Sequence, residues 1–242
     1  MTDRLFGVST RLFQTERLTR EHLVHIAGHG FEAVELVATP SHFDGTDATA
    51  AAQLSEWLSD TRLRLHSVHA DDGSLDGVVD LAAQVPFEFL VIHPLAQPDA
   101  TRRRIEDAVA RLSPHSVKVA VEVMGAGRWN TGTLTRLLEE DLEDTDAGIC
   151  LDFGHAHLGG DLGEAIETVS GHLLTTHLHD NRGRKDDHLV PFAGTIDWDL
   201  AMMETQKIGY DGVLMMEVAN TGDPVDVLRR AAKARERLER AF

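Results

Sequence analysis

The feature that most constrains the fold of this chain is a repeated alternation between two kinds of segment. Short runs rich in leucine and β-branched residues alternate with longer stretches of helical period through all 242 residues. The short runs are typical of buried parallel strands, and the longer stretches are typical of the helices that cover such a sheet. The predicted strands are 4–9, 33–38, 63–69, 88–93, 117–123, 147–152, 173–179 and 211–218. The predicted helices are 19–29, 48–60, 75–84, 100–112, 131–141, 161–170, 198–207 and 223–240.

Eight strand–helix units in a chain of this length predict an α/β fold, and specifically a single (β/α)8 TIM barrel. The alternative is an open, doubly wound sheet, which usually has fewer units and a glycine-rich phosphate turn after its first strand. The turn after the first predicted strand, 9–13, contains no glycine. No linker or low-complexity segment divides the chain, so residues 1–242 are predicted to form one domain.

The amino-acid composition indicates in which cellular compartment the protein is found and which binding partners are disfavoured. The chain has 40 Asp and Glu against 23 Lys and Arg, and its net charge of −17 repels polyanions and disfavours nucleic acid as a partner. The single cysteine, Cys150, excludes an internal disulfide and fits the reducing cytoplasm. No run approaches the length of a membrane helix, and the N-terminal residues lack the pattern of a signal peptide. We therefore expect a cytoplasmic protein with no membrane partner.

Residues that can bind a metal lie at the ends of six consecutive predicted strands, the third to the eighth. In a TIM barrel the active site is built from the C-terminal ends of the strands. Glu122 and Glu217 lie in runs that otherwise indicate buried strands, and a buried carboxylate must be paired or bind a metal. The sequence therefore predicts a divalent-metal site at the barrel mouth. The six residues are His69, His93, Glu122, Asp152, His179 and Glu217.

Three further residues join the predicted site by their spacing. His155 lies three positions beyond the carboxylate that ends the sixth strand, although a histidine at a helix N-terminus would give the same pattern. Asp186 and His188 form an Asp-x-His pair on the long charged loop after the seventh strand, where the alternative is a solvated run of charges. His177 shares a strand face with His179 and is interpreted as a supporting residue.

Four motifs resemble those of the xylose-isomerase-like TIM-barrel superfamily, which includes sugar isomerases and epimerases, inosose dehydratases and endonuclease IV. They are the segments 151–155 (LDFGH), 176–181 (THLHDN), 186–198 (DDHLVPFAGTIDW) and 216–217 (ME). In the sugar epimerases of this superfamily, Glu, Asp, His and Glu at the ends of strands five to eight hold one divalent ion, and the two glutamates exchange the substrate proton. By this resemblance the four ligands are Glu122, Asp152, His179 and Glu217.

The resemblance to endonuclease IV implies an alternative function, that of a multi-zinc phosphodiesterase. The further ligands of that branch correspond to His69, His93, His155, Asp186 and His188, so all nine positions are filled. Two departures weigh against this function. The acidic chain has short turns after its third and fourth strands instead of loops that reach into DNA, and the segment 192–194 reads Phe-Ala-Gly where Gly-Glu-Gly is common. A barrel that binds a metal and a ligand without catalysis is a third alternative.

The first hypothesis is a metal-dependent isomerase or epimerase that acts on a small sugar, a sugar phosphate or a polyol. Glu122 and Glu217 would transfer the substrate proton while the metal acts as a Lewis acid, and the loop cations Arg182 and Lys185 would hold a distal substrate group. Mn, Mg or Co suits a single ion, whereas a histidine-rich cluster favours Zn. The superfamily's sugar enzymes are often dimers or tetramers, so the resemblance also implies a homo-oligomer. With one ion bound, the expected substrate contacts are His69, His93, His155 and His188.

Overall fold

The structure, a computed structural model, describes residues 4–70 and 75–241. Eight parallel strands form a closed barrel in sequence order, which confirms the predicted TIM barrel. The strands are β1 (Phe6–Ser9), β2 (Ala33–Val37), β3 (Arg64–His69), β4 (Phe89–Ile92), β5 (Lys118–Glu122), β6 (Gly148–Asp152), β7 (Leu173–Leu178) and β8 (Leu214–Met216). The helices are α1 (Arg20–Gly28), α2 (Ala48–Thr61), α3 (Leu75–Ala82), α4 (Pro98–Leu112), α5 (Thr131–Asp141), α6 (Phe153–Gly159), α7 (Leu162–Val169), α8 (Trp198–Lys207) and α9 (Pro224–Leu238). Across the described ranges, every helix is too short or too polar to cross a bilayer.

One helix, α6, was not predicted from the sequence. It has 7 residues and begins directly after β6, and its two glycines leave the segment without a helical period of apolar residues. The carboxylate of Asp152 caps this helix by accepting a hydrogen bond from the His155 backbone N–H at 2.7 Å. The cap fixes the position of His155 next to the end of β6.

Side chains alternate between the inside of the barrel and the helix-facing side of each strand. The helix-facing side chains pack with the helices in one large apolar core. A separate apolar cluster consists of Val91, Ala120 and Cys150. Glu122 and Asp152 lie two positions farther along β5 and β6, and therefore point to the same side as Ala120 and Cys150. On β4, β5 and β6 the inner face is thus apolar below the mouth, and its acidic residues lie at the mouth.

The long connection from β7 to α8, residues 179–197, is held by hydrogen bonds near both of its ends. Asp180 and Leu189 form an isolated antiparallel bridge. The buried Asp180 carboxylate accepts hydrogen bonds from the Gly194 backbone N–H at 2.9 Å and from the Trp198 indole N–H at 3.0 Å. These bonds fix the loop that carries the predicted Asp-x-His pair.

Candidate metal centre

Four side chains meet at the C-terminal end of the barrel and form what we call the central group. Each offers one ligand atom, and these atoms all lie within 4.8 Å of one another. All four side chains are buried. Three carboxylates and an imidazole form a mixed oxygen and nitrogen donor set of the kind that binds divalent cations. The central group consists of Glu122, Asp152, His177 and Glu217.

The structure places His177 in the central group, whereas the sequence analysis expected His179 there. His177 lies on the inner face of β7, and His179, two positions later, directly follows the end of that strand. The strand register pairs Asp152 with His177, so His177 lies at the depth of the carboxylates. His179 lies one step nearer the mouth, where its Nε2 atom is 2.9 Å from an Asp152 oxygen. The alternation of residues along a strand identifies the inner face, but the depth in the barrel depends on the register between strands.

His69 and His93 lie beside the central group and form a second set of candidate ligands with Glu122. The Nε2 atoms of His69 and His93 are 3.3 Å and 3.1 Å from Glu122 Oε2. The other ring nitrogen of His69, Nδ1, is 3.3 Å from Glu217 Oε1. His69 therefore lies between the two glutamates, and His93, whose side chain is 30% exposed, borders the open mouth.

A third set, which we call the outer group, lies where the long loop meets α6. The Nε2 atom of His188 is 2.8 Å from Asp186 Oδ2, and that of His155 is 3.3 Å from the same oxygen. Asp186 and His188 therefore contact other residues of the site, although the Asp186 side chain is 37% exposed. The outer group consists of His155, His179, Asp186 and His188.

Main-chain carbonyls orient two histidines of the outer group. Nδ1 of His155 donates a hydrogen bond to Val123 O at 2.9 Å, and Nδ1 of His188 donates to Glu217 O at 2.9 Å. A ring nitrogen that donates to a carbonyl leaves the other nitrogen as an acceptor in a fixed direction, which is the usual arrangement of metal-binding histidines. In both residues this other nitrogen, Nε2, faces the carboxylate of Asp186, so without a metal it carries a proton, and it becomes an acceptor only when that proton leaves.

The carboxylates and histidines of the site strongly affect each other's ionisation. Burial opposes ionisation of Glu122, but His177 and His155 outweigh it and hold the pKa of Glu122 well below its ordinary value. Burial likewise opposes protonation of His155, yet the carboxylates of Asp152 and Glu122 raise its pKa to about 12. Without a metal, protons on the histidines therefore compensate the buried negative charge.

Polar atoms left without a hydrogen bond indicate where a cation fits. Within the part of the chain that the structure describes, Nδ1 of His177, Nδ1 of His179 and Oε2 of Glu217 are buried and have no hydrogen-bond partner. Such an unpaired buried atom costs about 1–3 kcal/mol. A cation in the central group would bind His177 Nδ1 and Glu217 Oε2, so the residues present fit a divalent metal.

Two residues of the site, Glu35 and Arg11, were not predicted from the sequence. Glu35 is fully buried in β2 and contacts His177. It is the one carboxylate in the apolar run 33–38, so the rule that identified Glu122 would also have found it. Arg11 follows β1, and its Nη1 atom lies 3.5 Å from Glu217 Oε1. No pattern in the sequence distinguishes Arg11 from the other arginines.

The predicted loop cations lie away from the buried ligands. Arg182 and Lys185 are both exposed, although they shortly precede Asp186, which contacts His155 and His188. Lys185 Nζ is 3.1 Å from Asp187 Oδ1, and the Lys185 side chain is 80% exposed. Contacts of Arg182 and Lys185 with a substrate remain a prediction.

A sequence model that describes the xylose isomerase-like TIM barrel matches residues 23–240 of this chain. The protein belongs to this family. The protein MJ1311 of Methanocaldococcus jannaschii is 27% identical over 258 aligned positions, which cover 92% of this chain and 86% of MJ1311. The protein y4fM of Sinorhizobium fredii is 30% identical over 78% of this chain and 63% of its own length. Both relatives are named as uncharacterized proteins.

Several solved structures share the fold of this family member over nearly its full length. An IolI protein with a zinc atom has a TM-score of 0.81 at 16% identity, over 98% of this chain and 99% of that one. A D-tagatose 3-epimerase-like protein has a TM-score of 0.77 at 22% identity, over 98% and 96%. A D-psicose 3-epimerase from Clostridium cellulolyticum, solved with D-tagatose, has a TM-score of 0.75 at 15% identity, over 98% and 99%. These likenesses show a barrel that sugar epimerases also use.

Proposed function

We propose that this protein is a divalent-metal-dependent isomerase or epimerase that acts on a small sugar, a sugar phosphate or a sugar-like polyol. The observation that carries the proposal is the presence of two buried glutamates, Glu122 and Glu217, in one group with Asp152 and His177. The fold shared with sugar epimerases supports the same class of reaction. The substrate is therefore a small molecule that enters through the barrel mouth.

The central group would hold the metal through three carboxylates and one imidazole. When bound, the cation supplies Lewis-acid polarisation of a substrate carbonyl and the adjacent hydroxyl, which acidifies the C–H bond between them. Mn, Mg and Co suit this oxygen-rich set, and zinc is the metal of the IolI structure. The ligands proposed here are Glu122, Asp152, His177 and Glu217.

The two glutamates would transfer the substrate proton. Glu122 ends β5 and Glu217 follows β8, and two other strands lie between these strands in the closed barrel. Their carboxylates therefore approach the mouth from different directions, which allows one to remove a proton and the other to return it on the opposite face of the carbon. His69, which lies 3.3 Å from each glutamate, is placed to orient both carboxylates.

The test replaces each glutamate by glutamine and measures solvent-proton exchange into a substrate found among aldoses, ketoses and their phosphates. Glu122→Gln and Glu217→Gln should each lower the exchange rate by about 10²–10⁴-fold, the usual contribution of a general acid or base. Metal content, measured on the same samples with metal in excess, should remain at the wild-type level, because the amide oxygen of glutamine can still bind the ion. The surface change Glu236→Gln is the matched control. If either active-site variant exchanges solvent protons into the substrate at the wild-type rate, the two-base scheme is ruled out.

A second candidate function is a multi-zinc phosphoesterase, and one observation favours it. Three of the four candidate ligand sets found among the described residues adjoin one another, since Glu122 belongs to two of these three and Asp152 contacts His179 of the third. Zinc ions held by these residues would supply Lewis-acid activation of a water molecule and of the phosphoester. Zinc-dependent hydrolysis of a small phosphodiester such as bis(p-nitrophenyl) phosphate, without sugar exchange, would favour this function. We further propose a cytoplasmic location and a homo-oligomer.

A further inference from the structure

A buried carboxylate inside the barrel, that of Glu35, lies outside the central group. Glu35 lies in β2 and is fully buried. Its Oε2 atom accepts hydrogen bonds from His177 Nε2 at 2.9 Å and from Ser67 Oγ at 2.8 Å. Its other oxygen, Oε1, is 3.8 Å from Nδ1 of His69. Glu35 thus contacts histidines from two of the candidate ligand sets.

The bond between Glu35 and His177 determines which nitrogen of His177 is available to a cation. Neutral imidazole has one N–H and one lone pair, and the N–H must be at Nε2 because Nε2 contacts the Glu35 carboxylate. The lone pair is then at Nδ1. This atom lies 3.5 Å from Glu122 Oε2 and 3.8 Å from Glu217 Oε2, which are atoms of the central group.

The hydrogen bond also crosses the barrel. His177 is on β7 and Glu35 is on β2, with β8 and β1 between them in the closed sheet. The bond therefore fixes the rotation of the His177 ring relative to a distant strand, and not only relative to its own neighbours. Ser67, on β3, in turn fixes the Glu35 carboxylate.

Glu35 is less suited to bind the cation itself, although it can be grouped with His69, His177 and Glu217 at ligand distances. Its Oε1 atom is buried, has no hydrogen-bond partner among the described residues and lies 3.8 Å from His69 Nδ1. Its Oε2 atom already accepts two hydrogen bonds. A cation on this oxygen would displace the N–H of His177 that points at it. The contacts present therefore favour an indirect role over direct coordination.

We propose that Glu35 is a positioning residue, which holds His177 in the tautomer and orientation that direct Nδ1 to the metal. The inference rests on the proposed metal centre and adds to it a residue that acts through a ligand. Carboxylate–histidine–metal arrangements of this kind raise metal affinity by 10- to 100-fold, as an order of magnitude.

The experiment titrates Co²⁺ into metal-free protein and measures the dissociation constant and the number of ions per chain. Glu35→Gln, which keeps an acceptor for His177 but removes the charge, should weaken binding by about 10-fold, and Glu35→Ala by about 100-fold. The number of ions per chain should not change. Thr175→Val is the matched control, because the Thr175 hydroxyl contacts His66 Nε2 at 3.1 Å and not the central group. This control should bind Co²⁺ as the wild type does.

A second measurement reports the tautomer directly. Histidine ¹⁵N NMR of the zinc-loaded wild type should show His177 protonated at Nε2 and metal-bound at Nδ1. If Glu35→Ala does not fold, as judged by thermal unfolding of the metal-free variants, Glu35→Gln and Ser67→Ala carry the test. Ser67→Ala removes one hydrogen bond from Glu35 and should weaken binding severalfold.

Three results would overturn the inference in distinguishable ways. Wild-type affinity in the Glu35 variants, or zinc at Nε2 of His177, would show that Glu35 does not position this ligand. One ion fewer per chain in Glu35→Gln would show that Glu35 is itself a ligand. Failure of the wild type to bind Co²⁺ at all would overturn the metal centre, and this inference with it.

Discussion

At the scale of single residues, His177 and His179 point into the same barrel but have different partners. His177 belongs to the central group, and His179 belongs to the outer group. We expect His177→Ala to lower metal affinity by more than about 100-fold, because loss of a ligand exceeds the 10- to 100-fold loss of an outer-shell partner. His179→Ala should leave the ion of the central group bound. Metal titration of both variants checks this, and the reverse order of effects would contradict it.

Sequence patterns identified which residues line the mouth but not all of their partners. The carboxylates Glu122, Asp152 and Glu217 were identified because each ends an apolar run, where a charge must be compensated. Distinguishing His177 from His179 required the register of β7 against β6, which has an irregularity between Ile149 and Cys150. Register shifts of this kind depend on packing across strands and leave no local sequence signal.

At the scale of elements, the loop between β7 and α8 depends on the carboxylate of Asp180. Besides Gly194 and Trp198, it accepts a hydrogen bond from the Ile196 backbone N–H at 3.1 Å. Asp180→Asn should lower the free energy of unfolding by about 1–3 kcal/mol, because an amide cannot accept from all of these donors. Hydrogen exchange across residues 181–196 should become faster in the variant.

The exposed Asp107 in α4 provides the control for this change, since Asp107→Asn removes the same charge without loop contacts. If hydrogen exchange across residues 181–196 is unchanged in Asp180→Asn, the Asp180 carboxylate does not hold the loop. Metal analysis of the same variant reports whether the outer group depends on the loop. We expect Asp186 and His188 to lose their fixed positions before the central group is affected.

The strands and most helices were predictable because their periods are local properties of the chain. Every predicted strand is present, and the structure shortens each of them by one to five residues. Helix α6 was missed because its formation depends on the Asp152 cap and on its place at the end of β6, and not on a helical period. A short helix of this kind is dictated by its neighbours.

At the scale of the whole molecule, the site makes the stability of the metal-free protein fall at both low and high pH. Burial opposes ionisation of Glu217, but His177 and His69 lower its pKa from 4.5 to about 2. The ionised Glu217 carboxylate therefore stabilises the folded protein fully above pH 4.5, and this contribution is lost as the pH falls towards 2. His155 has its pKa raised from 6.5 to about 12, so its stabilisation is complete below pH 6.5 and declines as the pH rises.

The metal-free protein should therefore be most stable between pH 4.5 and 6.5. Bound metal should reduce the alkaline decline, because a cation on Glu122 and Asp152 supplies the positive charge that the proton on His155 otherwise supplies to these carboxylates. Thermal unfolding across pH, with chelator and with zinc, checks both statements. A melting temperature of the metal-free protein that rises from pH 6.5 to 9 would contradict the account.

The net charge of −17 also belongs to this scale, because it determines which large partners the molecule can approach. We expect binding to an abasic DNA duplex to be weaker than about 10⁻⁴ M, the weak limit of ordinary non-specific binding, at physiological salt. Fluorescence anisotropy with a labelled duplex measures this. Efficient incision of that duplex would instead support the endonuclease-like function.

The number and identity of metal ions per chain test the central claim most directly. Elemental analysis of protein purified without added metal gives both values in one measurement. The proposed isomerase predicts one divalent ion per chain, lost in a variant that combines Asp152→Ala and His177→Ala but retained in His93→Ala. Two or three zinc ions per chain, with loss of one ion in His93→Ala, would contradict the single-ion isomerase and favour the phosphoesterase.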